Sequence, residues 1–193
     1  CDLKAQALVG PGDVQLPELE LSVQRLQAVS ATRFISEPEL RVTASGKLQR
    51  DPLQLTISNA DINSSALQAR AKDLRYQTVA GAPQLHGALD YQGDLGKMNA
   101  WLRSPQAPAK VAYAGRLTGQ LRGESSGDQS TIELQSMIDN LTVASTAPAA
   151  SGANAAPLWR EPRVSLTARL VHDRAADALK LTAVDLASGM LQL

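Results

Sequence analysis

Aromatic side chains are nearly missing from this chain, at 3% of 193 residues: one Phe, two Trp and three Tyr. Such rings usually supply much of a globular core and most binding hot spots. Hydrophobic residues still make up 44%, so packing falls to Leu, Val, Ile and Ala, which favours a smooth aliphatic surface. A single Cys excludes an internal disulfide framework and a CxxC metal site. Neither sign of charge is in excess, nineteen Lys and Arg balancing nineteen Asp and Glu. With no basic stripe and no aromatic stacking platform, nucleic acid is excluded as a partner. No apolar run reaches the ~18 residues a membrane helix needs, and no charged-apolar-small signal pattern is present. Any targeting or anchoring element is expected outside this segment.

What the chain does have is a repeat. Sliding residues 37–69 by 124 positions lays them without a gap on residues 161–193, with ten identities in 33. Glu37-Pro38 falls on Glu161-Pro162, Thr43-Ala44 on Thr167-Ala168, Arg50 on Arg174, and Leu55, Asp61, Ser64, Leu67 and Gln68 on Leu179, Asp185, Ser188, Leu191 and Gln192. Other strand-interior pairs exchange one aliphatic for another, as in Leu40/Val164, Val42/Leu166, Ile57/Leu181 and Ile62/Leu186. Side-chain period is kept while surface chemistry drifts, the mark of units that stack to share one core.

The period is two. Leu19, Leu21 and Val23 share a face, and Leu40, Val42, Ala44, Gly46 and Leu48 alternate with Arg41, Thr43, Ser45, Lys47 and Gln49. After a turn at Arg50-Asp51-Pro52, Leu53, Leu55 and Ile57 resume the apolar face, so the pair reads as an antiparallel hairpin. The phase slips near Ala60 and again before Leu67, which predicts a bulge or bend in a long, curling strand. Val164 to Leu170, a turn at Asp173 to Asp177, and Leu179 and Leu181 repeat the design. A third, degenerate unit joins Leu117, Gly119 and Leu121 to Ile132 and Leu134 through a turn at Glu124 to Gln129.

One segment has helical spacing. Gly93-Asp94 can start it, and Leu95, Met98, Trp101 and Leu102 fall on one face over about three turns, ahead of Ser104-Pro105 and Pro108. Residues 144–157, rich in Ala, Ser, Pro and Gly, read as a flexible loop. The fold expected is mainly β: an elongated, curled antiparallel sheet of repeated hairpins, a β-groove, with one short helix near 94–103. Residues 1–193 form a single β-repeat region. Its second copy stops in mid-pattern and it opens on Cys1, at the head of an alternating run through Leu3, Ala5, Ala7 and Val9. We therefore expect a segment of a longer chain, with Cys1 a strand residue rather than a lipid-modified one.

Candidates for chemistry reduce to structural roles. His86 and His172 sit at strand positions with no ligand-spaced partner, so no metal site and no cofactor is expected. Asp94 is placed to cap the helix and Asp90 alternates outward, which leaves no paired carboxylates. Asp61 and Ser64 recur as Asp185 and Ser188; a catalytic group is needed once, whereas a bend is needed in every unit, where Asp and Ser can bond neighbouring backbone. Gly115, Gly119 and Gly123 predict close backbone approach. No catalytic residue is expected, and the chain does not read as an enzyme.

An antiparallel sheet with one apolar face must bury it against something, and one short helix cannot cover six or more strands. Either the sheet packs on itself as a structural or adhesive sandwich without a ligand, or the apolar face curls into a trough that holds acyl chains. The trough would be lined by Leu40, Val42, Leu55, Ile57, Leu117, Leu134, Val164, Leu166, Leu179 and Leu181.

Tyr91-Gln92-Gly93-Asp94-Leu95, the helix through Leu102, Gly115-Arg116-Leu117-Thr118-Gly119-Gln120-Leu121 and the units Leu55 to Leu67 and Leu179 to Leu191 together resemble the AsmA-like proteins of bacterial envelopes. That group includes the TamB type and is similar to the bridge-like lipid-transfer proteins. The resemblance runs from about residue 37 onward. It implies a periplasmic protein, anchored to the inner membrane by a region outside this segment, whose apolar groove carries phospholipid between membranes.

Overall fold

The computed structural model describes residues 2–29, 34–79, 82–102, 111–146 and 157–189. Ten strands form one antiparallel sheet whose spatial order is the chain order, as a run of alternating segments paired hairpin by hairpin should produce. They are β1 (Asp2–Val9), β2 (Asp13–Val29), β3 (Phe34–Gln49), β4 (Gln54–Ser64), β5 (Leu67–Val79), β6 (Ala82–Asp94), β7 (Val111–Ser126), β8 (Gln129–Ser145), β9 (Pro157–Asp173) and β10 (Ala178–Ser188). Helix α1 (Leu95–Leu102) lies between β6 and β7. The sheet is curled and not closed into a barrel. At eight residues, α1 makes just over two turns, shorter than the three its apolar spacing suggested. Strands β8 and β9 claim residues 144, 145 and 157 from the expected flexible loop. Residues 147–156, like Cys1, Ser104-Pro105, Pro108, Leu191 and Gln192, lie outside the described residues.

The two copies of the repeat adopt one hairpin. Val42 pairs with Ile62 and Leu40 with Ser64 in β3/β4; Leu166 pairs with Leu186 and Val164 with Ser188 in β9/β10. Each has its register shift at the same place, after Ser45↔Asn59 in one and Arg169↔Ala183 in the other. That bulge is the phase slip read near Ala60. The second slip, before Leu67, is instead the β4–β5 turn at Ser65-Ala66. Ser64 Oγ organises that turn, accepting from the amides of Ala66 (3.3 Å) and Leu67 (2.9 Å) and donating to the Leu67 carbonyl.

Equivalence extends one strand further than the sequence repeat. Arg25 (φ 55) and Asn140 (φ 54) both take the left-handed conformation. Each lies opposite the proline of its Glu-Pro pair, since Gln24↔Glu39 and Leu26↔Glu37 bracket Arg25 and Pro38 while Asp139↔Arg163 and Leu141↔Glu161 bracket Asn140 and Pro162. Proline has no N–H to give the ladder and is tolerated at bulges and free edges. Here the other side of each proline lies beyond the last pair of β4 or β10, Leu40↔Ser64 and Val164↔Ser188.

The preceding glutamates close the motif. Glu37 and Glu161 are each only 2% exposed. Glu37 Oε1 accepts from the Ser65 amide at 2.5 Å and Glu161 Oε1 from the Gly189 amide at 2.6 Å, both 28 residues ahead. A carboxylate on the longer strand thus clasps the turn at the end of the shorter one.

Because β3 runs on to Phe34 and β7 begins at Val111, while β4 to β6 stop near Ser64, Leu67 and Asp94, the sheet has a notch. It is roughly 20 Å deep at 3.4 Å per residue. Helix α1 fills it, touching β3, β6 and β7. Asp94 Oδ1 caps its first turn by accepting from the Lys97 amide at 3.1 Å, and Lys97 Nζ donates to the Ser65 carbonyl. Met98 lies over Gly93, where a Cβ would come within 2.7 Å of its sulfur.

Candidate functional site: an uncovered apolar face

Residues opposite one another in an antiparallel ladder point to the same side, so the pairing registers trace rungs across the sheet. One rung runs unbroken over all ten strands: Leu3, Leu21, Val42, Ile62, Ala69, Tyr91, Gly119, Ser136, Leu166, Leu186. The next is Ala5, Leu19, Ala44, Ala60, Ala71, Leu89, Leu121, Leu134, Ala168, Val184. At about 4.8 Å between strands, these rungs are roughly 43 Å wide. The intervening rung on the other side is Lys4, Glu20, Thr43, Asp61, Arg70, Asp90, Gln120, Gln135, Thr167, Asp185, without one apolar residue.

All ten residues singled out in the sequence lie on the apolar side. Val42 and Leu166 share the first rung and Leu134 is on the second. Leu40 stands beside Val23 at the helix end, where Leu117 and Val164 flank Ile138. Ile57 pairs with Gly46 and Leu74, and Leu181 with Leu170; Leu55 pairs with Leu48 and Tyr76, and Leu179 with His172. Their alternation missed β5 and β6. There the apolar side is built from Ala69, Ala71, Leu74, Leu85, Leu89 and Tyr91, broken by a register shift between Lys72 and Arg75 that includes Asp73 at φ 52.

Little covers this side. Among the described residues the buried apolar side chains are Ala66, Ala71 and Leu141, while Leu85, Leu121, Ile132, Leu179 and Leu181 are exposed. The chain's accessible area is 12879 Å² at 20.4 kDa, against about 8,800 Å² expected for a compact chain of that mass. In β5, Ala69, Ala71 and Leu74 are shielded while the interleaved Arg70, Lys72 and Arg75 are exposed.

A few polar groups punctuate it. The Tyr91 ring lies across Gly119, where a Cβ would meet it at 2.4 Å, and its hydroxyl hydrogen-bonds the Ser136 hydroxyl. What approaches Gly119 is therefore a side chain as well as backbone. His172 Nε2 lies 3.6 Å from Asp177 Oδ1 at the end away from α1.

The opposite side carries exposed cross-strand pairs, Arg70–Asp61 at 2.5 Å, Arg163–Asp139 at 2.9 Å and Arg41–Glu20 at 2.8 Å, whose attraction is weakened by solvent and salt. Asp61 therefore serves a salt bridge, not the backbone of a bend, and its carboxylate raises the Arg70 pKa by hydrogen bond and charge. Asp90 accepts from Gln120 on the same side at 2.6 Å.

A shallow recess of about 450 Å³ lies at the notch between Ser64–Gln68, Gln92–Asp94 and Ala114–Arg116. Among the described residues no group of three or more His, Cys, Asp or Glu could hold a metal ion, and no helix is long and apolar enough to cross a membrane. No family model, curated protein or solved structure matches the chain.

Proposed function

We propose that this chain is a non-enzymatic lipid-binding β-groove, which holds phospholipid acyl chains against its apolar side. The observation that carries this reading is the pair of largely apolar rungs spanning ten strands, over which the described residues place no second layer. Each methylene taken from water is worth ~0.8 kcal/mol, so an acyl chain and the exposed leucines gain together without any polar recognition group. The resemblance to AsmA-like proteins supplies the setting: a bacterial envelope, with an inner-membrane anchor outside residues 1–193 and phospholipid passing between membranes.

Adjacent residues on opposite sides of one strand make the test. A photoreactive benzoylphenylalanine at Leu134 or Leu166, illuminated in cells, should yield adducts that mass spectrometry identifies as phospholipid. At Gln135 or Thr167 it should not. Protein adducts without lipid at Leu134 and Leu166 would replace this reading with the structural one, in which another protein surface covers the apolar side.

A further inference from the structure

At the end of the sheet away from α1, the two copies of the repeat differ on the apolar side. Val14, Leu48 and Leu55 form a row there across β2, β3 and β4, and the equivalent row across β8, β9 and β10 is Ser130, His172 and Leu179. Two aliphatic positions of the first copy are polar in the second. The arginine just past each row differs as well: Arg50 is exposed, whereas Arg174 is half-buried and reaches back to β8, where its Nη2 donates to Ser130 Oγ at 2.8 Å. Its Nη1 is shielded from solvent and has no hydrogen-bond partner.

The hydroxyls beside it also have a hydrogen to spare. Ser125 Oγ accepts from the Leu85 amide at 3.1 Å and shares one hydrogen bond with Ser130 Oγ at 2.9 Å. A single O–H joins the two oxygens, so the other hydroxyl hydrogen has no acceptor among the described residues. Ser130 and His172 line a recess of about 380 Å³ together with Ile132, Leu170, Leu179 and Asp177. The acid of that set, Asp177, is fully exposed, its Oδ1 3.6 Å from His172 Nε2. Guanidinium, hydroxyl and an imidazole that can donate thus meet above aliphatic side chains. Ser125, Ser130 and His172 stand on β7, β8 and β9, each paired on both flanks, so the cluster does not depend on an outer edge of the sheet.

We infer that this recess is an anion site for the phosphate of a phospholipid headgroup, whose acyl chains run from it along the apolar side. The phosphate chemistry follows from the donors; that a lipid carries the phosphate rests on the function proposed above. A guanidinium suits phosphate oxygens because it stays charged and presents its N–H groups as a fork. A shielded N–H left without an acceptor is costly, and a phosphate oxygen over Ser130 supplies one. Val14 and Leu48 give the first copy no such site, so a bound lipid has one place for its head.

Calorimetric titration of the chain with dihexanoylphosphatidylglycerol, with dihexanoylglycerol and with inorganic phosphate tests this. The phospholipid should bind about tenfold tighter than the diacylglycerol, the scale of one charge-assisted contact partly open to water. Arg174→Gln should remove that advantage while leaving dihexanoylglycerol binding, which also reports an intact fold, unchanged. Arg50→Gln should alter neither. Equal affinity for the two lipids, or an advantage that survives Arg174→Gln, would overturn the headgroup site and leave the groove standing. Inorganic phosphate bound through Arg174 with neither lipid bound would overturn the lipid as its source and the groove with it. Binding of none of the three would overturn both the site and the groove.

Discussion

The β3–β4 and β9–β10 hairpins share register, bulge and glutamate clasp, yet their apolar residues meet solvent differently. Leu55 is 37% exposed and its counterpart Leu179 is 65%; Ile57 is half-buried and its counterpart Leu181 is 61% exposed. Nothing within the hairpins accounts for this. The difference is the next strand: β5 brings Tyr76 beside Leu55 and Leu74 beside Ile57, whereas among the described residues no strand pairs with the far edge of β10. In a one-layer protein shielding comes from lateral neighbours, so identical units differ in stability according to place.

Placing a carboxylate at equivalent points exposes that difference most. Ile57→Asp should cost about 3 kcal/mol, because the charge is set between Gly46 and Leu74 with water on one side only. Leu181→Asp, already largely in water, should cost less than about 1 kcal/mol. Urea denaturation of both variants checks this. Equal costs would mean that a layer covers β10 as well and that the sheet is not open.

The clasp gives a closer comparison. Glu37→Ala should cost about 2 kcal/mol, the range for a buried hydrogen bond to a charged group, since it frees the turn that feeds β5 in mid-sheet. Glu161→Ala should cost about half as much, because the turn it holds lies at the edge. Hydrogen exchange should then accelerate more around Ser65 in Glu37→Ala than around Gly189 in Glu161→Ala, each relative to the unchanged protein. The reverse order would break the link between place and stability.

These clasps were visible in the sequence only as a repeated Glu-Pro. The two-residue period made the strands and the sidedness legible, because alternation in a strand maps directly onto two faces. The gap-free repeat made the hairpin legible, because insertions would have disturbed its register. The kinship of β2 and β8 was hidden. Pro17 sits at a register shift between Leu16 and Leu19 that has no counterpart between Ile132 and Leu134, so no constant offset aligns the two strands. Burial of Glu37 and Glu161 was hidden for another reason: a charged residue before a proline reads as surface, and only the contact 28 residues away explains it. A shorter separation, the nine residues from Asp61 to Arg70 across a turn, concealed their salt bridge in the same way.

A smaller effect is expected between the copies, where Tyr91 reaches across Gly119 to Ser136. Tyr91→Phe and Ser136→Ala should each cost about 1 kcal/mol. The double variant should cost little more than either alone, since both remove the same hydrogen bond. Additive losses in thermal or urea unfolding would show that the hydroxyls act separately.

The smallest effect belongs to an ion pair that the first copy has and the second lacks. Asp13 Oδ2 lies 2.8 Å from Lys47 Nζ; the structurally equivalent residues are Gln129 and Val171. The hydrogen bond from Lys47, helped by one from Gln15, lowers the Asp13 pKa below its ordinary value. A carboxylate whose folded pKa is depressed adds stability above its unfolded pKa, and that stability is lost as pH falls through the folded pKa. Asp13→Asn should therefore lower Tm slightly and by a constant amount near neutral pH, with the difference shrinking below about pH 4. Added salt should shrink it as well, since the pair is open to solvent. The counterpart change Gln129→Glu should bring no pH-dependent gain, because Val171 offers no cation. A Tm difference for Asp13→Asn that persists in acid would mean that the side chain acts by packing or turn geometry, and the two copies would then differ there in shape rather than charge.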